Sequence, residues 1–190
     1  MFCITCKNLS LQIICKDCQN QLLLPSFNKR EIAPNFFNYS FYSLSEIEDL
    51  LNSKYYFHGD RIYNILAKLS FYKFAQNFNF NEVITAIPID DHTRHEFSHT
   101  AILVKHLKSK FIEVKYNHLK AQNIVKYAGK RLECRQKNKR DFKVTDLVNK
   151  TTILCDDLIT SGATILEAKQ ALEKNENQVL FSLTLADAKL

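Results

Sequence analysis

The chain has no tryptophan, one methionine, three prolines and three glycines in 190 residues. It also lacks any apolar run near the ~20 residues that would span a bilayer as a helix. Its first residues, Met-Phe-Cys-Ile-Thr-Cys, do not form the charged-then-apolar leader of a secreted protein, so a cytoplasmic location is expected. No lysine follows Gly162 in its turn, which excludes the phosphate loop of the nucleotide triphosphatases. No motif for recognising a purine or pyrimidine is present. Excess charge is absent from most of the chain as well. The net charge is +6, and residues 126–143 carry all of it: eight lysines and arginines face only Glu133 and Asp141. With 46% hydrophobic and 24% charged residues, the composition is that of a globular chain with one sizeable core and a small appended module.

Where glycine is this scarce, Gly162 stands out. It lies in the run 151–164, Thr-Thr-Ile-Leu-Cys-Asp-Asp-Leu-Ile-Thr-Ser-Gly-Ala-Thr. The β-branched stretch 151–155 predicts a buried strand, and Asp156 and Asp157 are expected at its carboxyl edge. A hydroxylated turn follows (Thr160, Ser161, Gly162, Ala163, Thr164), then a helix over 165–174. Strand, turn and helix together aim N–H groups and hydroxyls at one point, as an anion site requires. A solvated loop capping the helix is the alternative.

Cys3, Cys6, Cys15 and Cys18 form C-x2-C-x8-C-x2-C. Two such knuckles suit a four-thiolate structural zinc, in preference to two disulfides or an iron–sulfur cluster. Cys155 reads as a core residue and Cys134 as a thiol with basic neighbours; neither is assigned a catalytic role. The expected organisation is a zinc module over 1–24, a linker over 25–40 around Pro25 and Pro34, and an α/β domain with a mostly parallel, doubly wound sheet over 41–190.

Within that domain the pattern predicts a strand at 36–42 and a helix opened by Ser45 with Glu48 in a capping box. A helix over 60–78 follows, then strands at 83–89, 111–116 and 178–185. The aromatics Tyr55, Tyr56, Phe57, Phe71 and Tyr72 could stack on bases; their spacing favours core packing. Pro88 is expected to end its ladder and leave Asp90 and Asp91 on a loop beside the first site. His92, Arg94, His95 and His99 open a helix over 92–107. They could hold zinc, contact an anion or face solvent, anion contact being favoured. The basic segment is long for a loop and reads as a lid or mobile arm, or else as a solvated helix face.

The order "apolar strand, Asp-Asp, two apolar residues, Thr-Ser-Gly-Ala-Thr" resembles the phosphoribosyl pyrophosphate (PRPP) signature of type I phosphoribosyltransferases. That resemblance implies that Asp156 and Asp157 hold ribose hydroxyls and that Thr160, Ser161, Gly162, Ala163 and Thr164 cradle the 5-phosphate. The four-cysteine module, the Ile87-Pro88-Ile89 loop, Arg135 to Asn138 and the PRPP-type run, taken in order, resemble the ComF competence-protein family. The run 94–99, Arg-His-Glu-Phe-Ser-His, departs from that family's Arg-Gly-Phe-Asn-Gln.

What this resemblance implies is a role in natural transformation. The protein would handle single-stranded DNA on the cytoplasmic side, peripheral to the inner membrane, with a DNA channel and a helicase as partners. Lys126, Lys130, Arg131, Arg135, Lys137, Lys139 and Arg140 would neutralise DNA phosphates without reading sequence. The alternative is an active phosphoribosyltransferase using PRPP and Mg²⁺, with the basic segment as its lid. An adaptor docking a protein through its zinc module is the third reading.

Overall fold

The computed structural model describes residues 1–89, 98–123 and 140–190. Six strands form one sheet: β1 (Asn28–Ala33), β2 (Phe36–Ser43), β3 (Ile84–Pro88), β4 (Ile112–Val114), β7 (Thr151–Ile159) and β8 (Gln178–Asp187). Their order across the sheet is β1-β2-β8-β7-β3-β4, parallel throughout except for the antiparallel edge pair β1–β2. The short strands β5 (Leu119–Ala121) and β6 (Phe142–Val144) make a separate antiparallel ribbon. The fold is therefore α/β with a mostly parallel central sheet.

Both faces of the sheet are covered, as parallel strands require. On one face lie α1 (Lys16–Leu22), α2 (Leu44–Asn52), α3 (Gly59–Leu69), α4 (Phe71–Asn77) and α5 (His99–Lys105). They enclose a core that includes Ile47, Leu51, Ile62, Leu66, Leu103, Ile153 and Cys155. On the other lies α6 (Ala163–Lys174), whose Ile165, Ala168 and Leu172 recur at helical spacing and pack on Ile87, Leu154 and Ile159. At about 25 cal/mol per Å² of apolar area, each buried Ile or Leu contributes roughly 1.5–3 kcal/mol.

Several local expectations shift. The stretch read as a linker contains β1 and most of β2, because Phe36, Asn38, Ser40, Phe41 and Tyr42 have buried places in the sheet despite their mixed polarity. Inside it, Asn38 and Ser182 hydrogen-bond side chain to side chain at 2.8 Å, so the buried polar atoms are satisfied. The cap of α2 falls two residues early: Glu46 accepts the Ser43 N–H at 2.6 Å. The helix expected over 60–78 breaks at Ser70, whose hydroxyl donates to the Leu66 carbonyl at 2.7 Å. Pro88 stays inside β3, and the ladder continues past it through the Ile89 N–H to the Cys155 carbonyl at 2.8 Å. Helix α5 begins at His99; the expected helical positions 92–97, with Asp90 and Asp91, lie outside the described residues.

Candidate functional site

The side to which connections cross reverses between the parallel neighbours β3 and β7: from β3 the chain crosses to β4 on one side and later returns to β7 on the other. Open α/β sheets bind ligands at the carboxyl ends of strands beside such a switch point. Pro88 pairs with Cys155 there, one residue before Asp156. Asp156, Asp157 and the turn 160–164 follow at this edge.

The strand does not end where the sequence suggests. β7 runs through both acids to Ile159, paired to β8 at Asp156↔Thr184 and Leu158↔Ala186. Successive side chains of a strand point to opposite faces. Asp156 accordingly lies on the face of Leu154 and α6, whereas Asp157 lies on the face of Ile153, Cys155, α3 and α5.

Asp157 is enclosed, its side chain 8% exposed, and one oxygen carries its contacts. Lys54 Nζ donates to Oδ2 at 2.7 Å, the Tyr63 hydroxyl lies 3.1 Å from it and His99 Nε2 3.5 Å. Burial opposes its ionisation, but the charges of His99 and Lys54 and the bonds from Lys54 and Tyr63 outweigh that and hold its carboxyl well below the usual range. Burial likewise works against the Lys54 ammonium, and Asp157 more than compensates, leaving Lys54 raised. Burial and the neighbouring carboxylate push the Tyr63 phenol up. Asp156 goes the other way. Its burial and the Asp157 charge raise it well above an ordinary carboxyl, eased by the Asp157 N–H bonded to its Oδ1 at 2.8 Å and by the charge of Arg140.

The turn after β7 is held from β1. Arg30 pairs with the buried Asp187 at 2.9 Å and donates to the Thr160 carbonyl at 3.0 Å. Gly162 is buried with φ +84°, and a Cβ there would stand 3.4 Å from Ile32. Thr160 and Ala163 are exposed, while Ser161 and Thr164 are half-buried. The Ser161 hydroxyl accepts from the Ala163 N–H only at 3.4 Å, and Gly162 supplies no side-chain cap to α6. The first N–H groups of α6 thus face the same edge as the acids.

The four cysteine ligand atoms lie within 4.8 Å of one another, with Cys3–Cys18 and Cys6–Cys15 sulfurs 3.9 and 3.7 Å apart. A tetrahedral site with Zn–S bonds near 2.3 Å has edges of about 3.8 Å, so the donor set fits zinc, and these spacings are far too long for disulfides. The Cys15 N–H donates to the Cys3 sulfur at 3.3 Å and helps bring that thiol down to about 6. All four metal positions would be filled, which suits a structural role.

Of the proposed nucleic-acid residues, Lys126, Lys130, Arg131, Arg135, Lys137 and Lys139 lie outside the described residues. Arg140 is described, at the foot of the β5–β6 ribbon, where the Gln122 N–H reaches its carbonyl at 3.1 Å. The aromatic expectation divides: Phe71 is buried, but Tyr55, Tyr56, Phe57 and Tyr72 are 45%, 59%, 91% and 43% exposed, the first three lying at and just after the 3₁₀ turn that carries Lys54. Sequence reasoning missed Lys54, Tyr63 and Arg30, which lie 103, 94 and 130 residues from their partners. No local pattern encodes such contacts.

Neither a protein-family profile nor a curated protein sequence matches the chain. Among solved structures it is similar to a hypoxanthine phosphoribosyltransferase from Staphylococcus aureus, at 11% identity and TM-score 0.42, over 66% of this chain and 62% of that one. A hypoxanthine-guanine phosphoribosyltransferase from Bacillus anthracis aligns at 20% identity and TM-score 0.37, over 74% and 68%. UMP synthase from Leishmania donovani aligns at 15% and TM-score 0.38, over 66% and 22%. The chain thus spans less than two thirds of the length of the staphylococcal enzyme. No described helix is long and apolar enough to cross a membrane.

Proposed function

We propose that the crevice at the β3–β7 switch point binds a PRPP-type pentose phosphate, in a protein that handles single-stranded DNA during its uptake. The observation that carries the pocket is the conjunction of Asp156 with the turn 160–164, where a positive-φ glycine opens the N-terminus of α6 on the same face. The 5-phosphate would meet the turn and the sugar would lie toward Asp156, which could also help hold a Mg²⁺ that would neutralise ligand charge. Residues 1–24 would form the zinc module, and β1 and β2 would join residues 41–190 in the main domain.

The DNA reading is supported by the confinement of the net +6 to residues 126–143, among them Lys126, Lys130, Arg131, Arg135, Lys137, Lys139 and Arg140. Its expected setting is the cytoplasmic face of the inner membrane, beside a DNA channel and a helicase. A second reading, an active phosphoribosyltransferase, is favoured by the charge of Arg140, at the foot of the basic segment, lowering the Asp156 carboxyl.

Anisotropy of a labelled single-stranded oligonucleotide across a salt series, with and without PRPP and Mg²⁺, tests both parts. Binding that weakens steeply with salt is expected, and a PRPP-dependent shift would couple pocket to DNA. Absence of binding at low salt would remove the DNA role. Pyrophosphate release with any acceptor would establish the transferase instead.

A further inference from the structure

Two adjacent acids are commonly pictured as one clamp on the two vicinal hydroxyls of a ribose. Here the backbone separates them. β7 stays extended through residue 159, so Asp156 and Asp157 leave the strand toward opposite faces of the sheet. Of the two, Asp156 follows Leu154, which packs in the α6 cluster, in the alternation of the strand.

Asp157 is also already engaged. Its Oδ2 is held by Lys54 at 2.7 Å and approached by Tyr63 at 3.1 Å and His99 at 3.5 Å, from the 3₁₀ turn, α3 and α5 respectively. Held through that oxygen on the α3–α5 side and only 8% exposed, the carboxylate is kept from the face that carries α6. Asp156 has one oxygen occupied by the Asp157 N–H and is only half-buried, so its second oxygen can accept from a ligand.

We infer that the pocket reads a pentose 5-phosphate through a single ring hydroxyl, accepted by Asp156, while Asp157 is a positioning residue that ties α3 and α5 to β7. The inference rests on the pentose phosphate reading above. Its consequence is a ligand class wider than ribose: a pentose 5-phosphate lacking the other hydroxyl fits equally well. An ordinary phosphoribosyl site with two reading acids would reject every deoxy analogue.

The test is calorimetric titration of the intact, zinc-loaded protein with ribose 5-phosphate and its 2-deoxy and 3-deoxy analogues, in the presence of Mg²⁺. One analogue is expected to match ribose 5-phosphate within about threefold. The other should lose on the order of tenfold or more, the worth of one hydrogen bond to a carboxylate. Tenfold losses with both analogues would show that both acids read the sugar and overturn the inference. Equal affinity for all three would overturn it from the other side, since Asp156 would then read nothing. If ribose 5-phosphate itself fails to bind, the pocket reading falls as well, an outcome distinct from the other two. Lys54→Gln, and separately Tyr63→Phe should the first fail to fold, loosen the tie to β7, so ribose 5-phosphate and the tolerated analogue are expected to weaken together with their ratio of affinities unchanged. A merely structural role for these two residues would leave both affinities alone, and renewed discrimination would show Asp157 reading the sugar and overturn the inference.

Discussion

Asp156 and Asp157 are neighbours of the same chemistry with opposite energetic signs. Asp157 titrates below its unfolded value near 4, so it stabilises the fold above that range, and the contribution is lost as pH falls toward its folded value. Asp156 is raised by burial and by Asp157, so its contribution is favourable only at low pH and becomes a cost as pH rises through and above the ordinary carboxylate range. Urea unfolding at pH 7 is expected to show Asp156→Asn more stable than the parent and Asp157→Asn less stable, by about 3–5 kcal/mol if the Lys54 charge is left buried and unpaired. The Asp157→Asn protein should also lose less stability than the parent below pH 4. Equal shifts in both variants would contradict the two-face arrangement. At Gly162 the backbone sits at φ +84° with Ile32 close by, so Gly162→Ala is expected to cost about 1–2 kcal/mol by chemical denaturation and to weaken phosphate binding further by moving the turn.

Among the elements, α6 was readable from its sequence because one periodic stripe, Ile165, Ala168 and Leu172, meets one apolar surface. Leu172→Ala removes a fully buried side chain there and is expected to cost about 2–5 kcal/mol in the urea midpoint analysis. The strands β3, β4 and β8 were equally plain. β1 was not, since Pro34 and its polar neighbours look like a connection; the strand expected over 36–42 is β2, but its place inside the sheet, where Thr184 and Ser182 of β8 pair with Asn38, was not legible. The acid pair and the turn were legible as local order, but the extension of β7 past them was not. Whether a strand ends at Cys155 or Ile159 is decided by its neighbour, and β8 offers partners as far as Asp187. The exposure of Tyr55, Tyr56 and Phe57 escaped for a related reason: periodicity announces a helix face, and these residues precede α3 on a turn that Lys54 draws toward Asp157.

Across the whole molecule, the cysteine module does not stand apart. Cys3, Ile13, Ile14, Cys18 and Leu23 belong to the same continuous core as Tyr42, Ile47 and Leu51, and the Tyr42 hydroxyl donates to the Leu23 carbonyl at 3.1 Å. Removing the bound metal with a strong chelator is therefore expected to lower the melting temperature of the entire protein in a single calorimetric transition. A separate early transition with the main one unmoved would show that residues 1–24 fold independently. The position of β8 governs assembly in another way. It follows every other strand in chain order yet lies between β2 and β7. A ribosome making this protein emits β1 and β2, then β3, β4 and β7, as two rafts with no edge in common, and only the arrival of 178–187 welds them. Until then each raft offers an unpaired apolar edge, so a nascent chain halted before residue 178 is a substrate for chaperones rather than a smaller version of the fold.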